Sequence, residues 1–154
     1  MGEFTIKNGV LESYYGDENQ KGLVVPKGVV EIGHSAFMSQ ENMGVITLPE
    51  GVKRIRDSAF SDCFGMPEVK LPESLTHLEI HAFFYSDIKK ITLPRGLKYI
   101  GRAALGDCMF LEKIIYKGTV AEFNRIEKDL PIVTSHTETK IVNCTDGTVT
   151  LSDF

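Results

Sequence analysis

Proline returns along this chain at nearly constant intervals. Pro26, Pro49, Pro72 and Pro94 are spaced by 23, 23 and 22 residues, and Lys117 takes the next place 23 residues on. A fixed period of this length constrains the fold more than any local propensity, because it makes each unit one supersecondary element repeated in space. The flanking positions keep step with the prolines. Leu23, Ile46, Val69, Ile91 and Ile114 lie three residues before that register, and Val25, Leu48, Leu71, Leu93 and Tyr116 one before it. Val29, Val52, Leu75, Leu97 and Val120 follow three residues after, and Ile32, Ile55, Leu78, Ile100 and Phe123 six after. A unit of 22 to 23 residues is too small to bury its own apolar face, so the registers must stack into continuous ladders inside a solenoid.

The local pattern gives each coil a shape. Two apolar registers flanking one residue, as in Ile46-Thr47-Leu48 and Ile91-Thr92-Leu93, alternate like a short strand with one face inward. Stacked, these strands predict a parallel sheet along the solenoid. The proline lacks an N–H and would interrupt a ladder, so it marks the strand end. A small-plus-large pair, Ala36-Phe37, Ala59-Phe60, Ala82-Phe83 and Ala104-Leu105, falls on the opposite side of the coil, where short helical or 3₁₀ turns are expected. The third unit is one residue short between Ala82 and Ile88. Asn8-Gly9 and Asp146-Gly147, each between apolar runs, read as hairpin turns with positive φ at both residues, predicting a cap at each end. Residues 127–140 read as a polar, less regular connection.

The stretch "IKKITLPRGLKYIGRAALGDCMFLEKI" and its three predecessors resemble the BspA-like class of leucine-rich repeats, over about residues 23–116. "IIYKGTVAEFNRI" and "IVNCTDGTVTL" resemble the way such bacterial chains close, with Phe123 where an aromatic is usual. Glu79 and His81 stand at places that are usually small, and Gln40 replaces the usual Cys. The resemblance implies an α/β, right-handed leucine-rich-repeat solenoid of about five coils of 22–23 residues. It has a parallel β-sheet on the concave face and capping hairpins at both ends. The expected organisation is one domain over 1–154, with an N-terminal cap at 1–22, repeats at 23–116, and an atypical last repeat and cap at 117–154. The implied role is non-enzymatic protein binding: adhesion to, or recognition of, a host or bacterial surface protein.

Composition narrows the alternatives. The formal net charge of −4 and pI near 5.6 leave no electrostatic footprint for phosphate backbones, so a nucleic-acid partner is disfavoured. The N-terminus has no basic segment followed by an apolar one, and no apolar run spans a membrane. The resemblance points to the cell surface or secretion, whereas the absence of a visible signal and the free thiols point to the cytoplasm or a trimmed chain.

Chemical motifs are few. The segment His77-Leu-Glu-Ile-His81 has the order HxExH, not the HExxH of zinc hydrolases. His77 shares a register with Glu31, Arg54 and Tyr99, and His81 with Ser35, Ser58 and Ala103, which are variable and outward positions. No metal and no cofactor is expected. Cys63 and Cys108 fall two coils apart, roughly 9–10 Å at ordinary strand spacing, beyond the reach of a disulfide. They are expected to stay reduced, without a partner for nucleophilic catalysis.

What remains is surface. The residues alternating with the buried strand positions, Val24, Thr47, Lys70, Thr92 and Ile115, should form one exposed ladder, with Val45, Glu68, Lys90 and Lys113 beside it. Lys27, Glu50, Glu73 and Arg95 follow as a mixed-charge row. These nine ladder residues are the candidate protein-binding face, since solenoids bind through extended sheet faces of this kind. The alternative is self-association into a homo-oligomer through an exposed parallel edge.

Overall fold

A computed structural model describes residues 2–17 and 20–153. The chain opens with β1 (Glu3–Lys7) and β2 (Val10–Tyr15), then enters coils that each contribute two short strands. These are β3 (Leu23–Val24) and β4 (Glu31–Ile32), β5 (Ile46–Thr47) and β6 (Arg54–Ile55), and β7 (Val69–Lys70) and β8 (His77–Leu78). They continue as β9 (Lys90–Leu93) and β10 (Tyr99–Ile100), then β11 (Lys113–Tyr116), α1 (Val120–Arg125) and β12 (Glu127–Lys128). The chain closes with β13 (Ile141–Asn143) and β14 (Thr148–Thr150).

The expected repeat frame is present, with two corrections to the expected α/β solenoid carrying one sheet. The first is that helix is confined, among the described residues, to the six residues of α1, so the molecule is a β-solenoid of about five turns. The second is that each coil carries two parallel strands, so two sheets run its length. The first sheet has the order β1-β2-β4-β6-β8-β10-β12. The second consists of β3-β5-β7 and β9-β11-β13-β14, which meet at an isolated parallel bridge between Glu68 and Lys90. That break falls at the unit that is one residue short. The extra sheet is built on the Ile32, Ile55, Leu78 and Ile100 register: each of these is buried, and the residue before it faces out. None of these four residues has a second buried residue two positions away, as Ile46 has in Leu48, which leaves no alternation to read.

The Ala-Phe side corrects the helical expectation as well. Ser35, Ser58, His81 and Ala103 have φ between 49 and 57°, and four residues later Ser39, Asp62, Tyr85 and Asp107 have φ between 51 and 62°. A left-handed non-glycine residue costs about 1–2 kcal/mol and cannot sit inside a right-handed helix. The coil offsets this with hydrogen bonds to its neighbour: Ser35 N–H to Asp57 O at 3.1 Å, Phe37 to Ala59 at 2.8 Å and Ser39 to Ser61 at 3.0 Å. The next coil repeats them from Ser58, Phe60 and Asp62. The intervening N–H groups close tight turns on their own coil, as Ala36 does on Gly33 and Met38 on Ser35. The backbone thus spends alternate donors within and between coils, which satisfies them all without a helix.

Between the sheets the registers form the predicted ladders. Phe37, Phe60 and Phe83 are fully buried and stacked, with ring centroids 4.9 and 5.1 Å apart and planes within 6°. Tyr14 and Phe4 extend the stack toward the N-terminus. β2 is therefore more than a cap strand: Val10-Leu11 pairs with Glu31-Ile32 and supplies a rung to the first sheet. The adjoining alanines, Ala36, Ala59, Ala82 and Ala104, are buried at the close approach of coil to coil.

Both ends carry hairpins, as expected. Asn8 and Gly9 take φ of 53 and 78° between β1 and β2. The second hairpin differs from expectation: Asn143 pairs with Thr148, so the loop has four residues, and Asp146 and Gly147 are not left-handed. Residues 127–140 are irregular beyond β12, as expected, but they pack against the last coil rather than running free as a polar connection. Pro131 and Ile132 accept coil-to-coil bonds from Ala103 and Leu105, Ile132 and Val133 are buried, and Thr137 donates to Leu105 O at 2.7 Å. The short helix α1 is held by a capping box between Thr119 and Glu122. At its other end the Lys128 ammonium donates to Phe123 O and Ile126 O and lies 4.5 Å from the Phe123 ring centre.

Candidate functional site

The nine candidate residues lie together on the outward face of the second sheet. Strand pairing sets Val24 beside Thr47, Thr47 beside Lys70, and Thr92 beside Ile115. In the neighbouring row Glu68 bridges to Lys90, and Lys90 pairs with Lys113. Their alternates Ile46, Val69, Ile91 and Ile114 are at most 1% exposed, so the pleat separates core from surface as the sequence implied. Val24, Lys70, Lys90 and Lys113 are exposed, Val24 at 72%, and Val45, Thr47, Glu68, Thr92 and Ile115 are half-buried.

Two open clefts border this face. At the N-terminal end Val24 and Leu23 join Phe4, Asp17, Gln20 and two glycines, Gly2 and Gly22, around a cleft of about 340 Å³. At the C-terminal end Lys113 and Ile115 join Tyr116, Lys117, Asn143 and Thr145 around an open depression of about 610 Å³. Neither was visible in the sequence, because each is made where the caps meet the repeats.

The electrostatics of the face are lopsided. Lys70, Lys90 and Lys113 have no ion-pair partner among the described residues, although Glu68 lies on the coil next to Lys90. In the mixed-charge row beyond the prolines Glu50, Glu73 and Arg95 are engaged, and only Lys27 is not, among the described residues. Arg95 forms a two-pronged pair with Glu122, at 2.8 and 2.9 Å, and Lys117 binds Glu73. Glu50 accepts the backbone N–H groups of Glu73 and Ser74 at 2.9 and 3.2 Å. Arg95, together with the Thr119 backbone N–H, holds the Glu122 carboxyl down at about 2, well below the usual carboxylate range.

The histidine segment does not converge on one point. His77 lies on β8, where its Nδ1 is 2.8 Å from the Thr76 hydroxyl and its ring is 6.0 Å from that of Tyr99. Glu79 instead binds Arg54 at 3.3 Å, and the left-handed His81 packs its ring on Phe84 at 4.9 Å. Among the described residues no three His, Cys, Asp or Glu side chains are placed to hold a metal ion. Cys63 and Cys108 are fully buried, and their thiols donate to Phe37 O at 3.0 Å and Phe83 O at 3.2 Å. Burial pushes both thiols up to about 12, which removes the thiolate needed for nucleophilic chemistry. No helix among the described residues is long and apolar enough to cross a membrane.

Comparison with known proteins gives the same architecture. A leucine rich cell surface protein from Faecalibacterium prausnitzii A2-165 superposes with a TM-score of 0.64 at 21% identity, over 79% of this chain and 38% of that one. A leucine-rich repeat protein from Bacteroides ovatus ATCC 8483 gives 0.51 at 20% identity, over 92% of this chain and 45% of that one. The chain therefore spans less than half the length of either solved relative. No curated protein matches it significantly. The model of the BspA type leucine rich repeat region matches residues 10–126 in six copies, beginning at the β2 rung, and the chain belongs to that family.

Proposed function

We propose that this chain is a non-enzymatic protein-binding module whose contact surface is the outward face of the second sheet. A single observation carries the reading: the row Val24, Thr47, Lys70, Thr92 and Ile115 is at least partly open to solvent in every member, and among the described residues no side-chain hydrogen bond or ion pair engages it. Parallel sheet faces left uncovered in a solenoid are what partners dock against. The likeness to a bacterial leucine rich cell surface protein supports adhesion or surface recognition as the setting.

Selection from a random displayed-peptide library tests this reading. Peptides enriched on the wild-type chain should lose binding to Thr92→Arg, at the middle of the row, and keep it with His77→Arg, on the first sheet. Enriched peptides that ignore Thr92→Arg and respond to His77→Arg would place binding on the other sheet.

A second reading, self-association, has its own support in the stagger of the ends. The first sheet projects beyond β3 by β2 and β1, whereas the second projects beyond β12 by β13 and β14. Each end thus pairs a hairpin with a bare two-residue parallel strand, and stacking end to end would fit projection to recess. Light scattering across a concentration series decides it: a mass that rises reversibly with concentration supports stacking, and a constant monomer mass removes it.

A further inference from the structure

The binding face is chemically graded along the solenoid axis. At its N-terminal end Val24, Val45 and Thr47 are uncharged, and Phe4, Leu23 and Val24 line the adjacent cleft on one side, with Asp17 and Gln20 also at its wall. At its C-terminal end Lys70, Lys90 and Lys113 project from three successive coils. Lys90 and Lys113 are register partners on neighbouring strands, about 4.8 Å apart in the sheet. Like charges set side by side on a sheet face are destabilising. Arg54, Arg56, Arg95, Lys117 and Lys140 are paired with carboxylates, whereas Lys70, Lys90 and Lys113, like Lys53 and Lys98, have no ion-pair partner among the described residues. What sets these three apart is that they share one sheet face on successive coils.

We infer that the partner of this face is a protein segment that is apolar at one end and acidic at the other, seated so that its carboxylates meet Lys70, Lys90 and Lys113. The inference rests on the proposed protein-binding role and adds the partner's chemistry and direction. The apolar end argues for polypeptide over an anionic polysaccharide, because a sulfated chain offers nothing to the exposed Val24 or its cleft. The Lys113 end gives the acidic groups a place to settle, in the depression shared with Asn143 and Thr145. Four coil spacings separate the Val24 and Lys113 ends, about 19 Å, the reach of roughly six residues of extended chain.

The test uses a fluorescent peptide of about eight residues, enough to span that distance, valine-rich in one half and glutamate-rich in the other. Its anisotropy is titrated with the full chain. Lys70→Glu/Lys90→Glu should weaken binding about tenfold or more, and Lys70→Gln/Lys90→Gln by less, because removing a charge is milder than reversing it. Lys53→Glu/Lys98→Glu makes the same change in formal net charge, from −4 to −8 at two units per substitution, and should alter binding less than about twofold. Unchanged thermal unfolding midpoints establish that the variants are folded. Equal weakening by both charge-matched variants would overturn the assignment to this face, and so would tight binding of a heparin fragment with none of the peptide. Loss with Val24→Asp but not with the lysine variants would overturn the acidic partner while leaving the binding face standing. Indifference to all of these variants would overturn the face itself.

Discussion

The two sheet faces of this solenoid are built on the same repeat and treat charge in opposite ways. On the first sheet, Glu31, Arg54, Arg56 and Glu79 interlock across coils: Arg56 meets Glu31 at 2.8 Å, and Arg54 meets Glu79 at 3.3 Å and Glu31 at 4.0 Å. Arg56 is held charged above its ordinary value by its hydrogen bonds to Glu31. On the second sheet three lysines stand unpaired beside exposed valine. A surface that satisfies its own charges has little to offer a partner, whereas one that leaves them open keeps their interaction energy for binding. The repeat guarantees the core under both faces and leaves each outward register free to vary.

The largest expected effect comes from the core common to both faces. Phe60→Ala should destabilise the chain by about 3–5 kcal/mol, since the ring is fully buried in the aromatic stack. Urea unfolding measures it, and near-wild-type stability would break the repeat frame from which both faces are derived. Arg54→Ala, on the paired face, should cost about 0.5–1 kcal/mol and less at high salt, because the contacts are partly solvated.

Glu122, on α1, is paired with Arg95 outside both faces and shows what a satisfied charge does to stability through a pH signature. Its folded-state carboxyl, near 2, lies below the ordinary value of 4.5, so its contribution is complete above pH 4.5 and is lost as pH falls toward 2. Stability measured against pH should therefore separate wild type from Glu122→Gln above pH 4.5 and bring the two together near pH 2. A constant difference would detach Glu122 from the Arg95 pair. The smallest effect is expected on the open face. Lys70→Glu/Lys90→Glu should change stability by no more than about 0.5 kcal/mol, since no intramolecular pair is broken. A loss matching that of Arg54→Ala would show that the lysines are structural after all.

The ladders of the second sheet and the aromatic stack were legible because side-chain identity repeats with the coil: Ile46, Val69, Ile91 and Ile114, then Phe37, Phe60 and Phe83. The first sheet was not, because Ile32 and its equivalents stand alone, with no buried residue two positions before or after them to fix a period. The left-handed positions were hidden for a different reason. Ser35, His81 and Ala103 do not advertise positive φ as glycine would, and it is hydrogen bonding to the next coil that holds them there. The candidate face was placed residue by residue from alternation alone. Its unpaired lysines were not foreseen as unpaired, because Glu68 stands opposite Lys90 on the neighbouring coil and only the geometry shows that they form no ion pair.

The claim that binding belongs to the second sheet is tested most directly by mass-spectrometric labelling of lysine amines. The native chain is labelled with and without the valine–glutamate peptide. The account predicts protection at Lys70, Lys90 and Lys113, with Lys53 and Lys98 labelled as fast as before. Protection spread evenly over all lysines, or confined to Lys53 and Lys98, would contradict it.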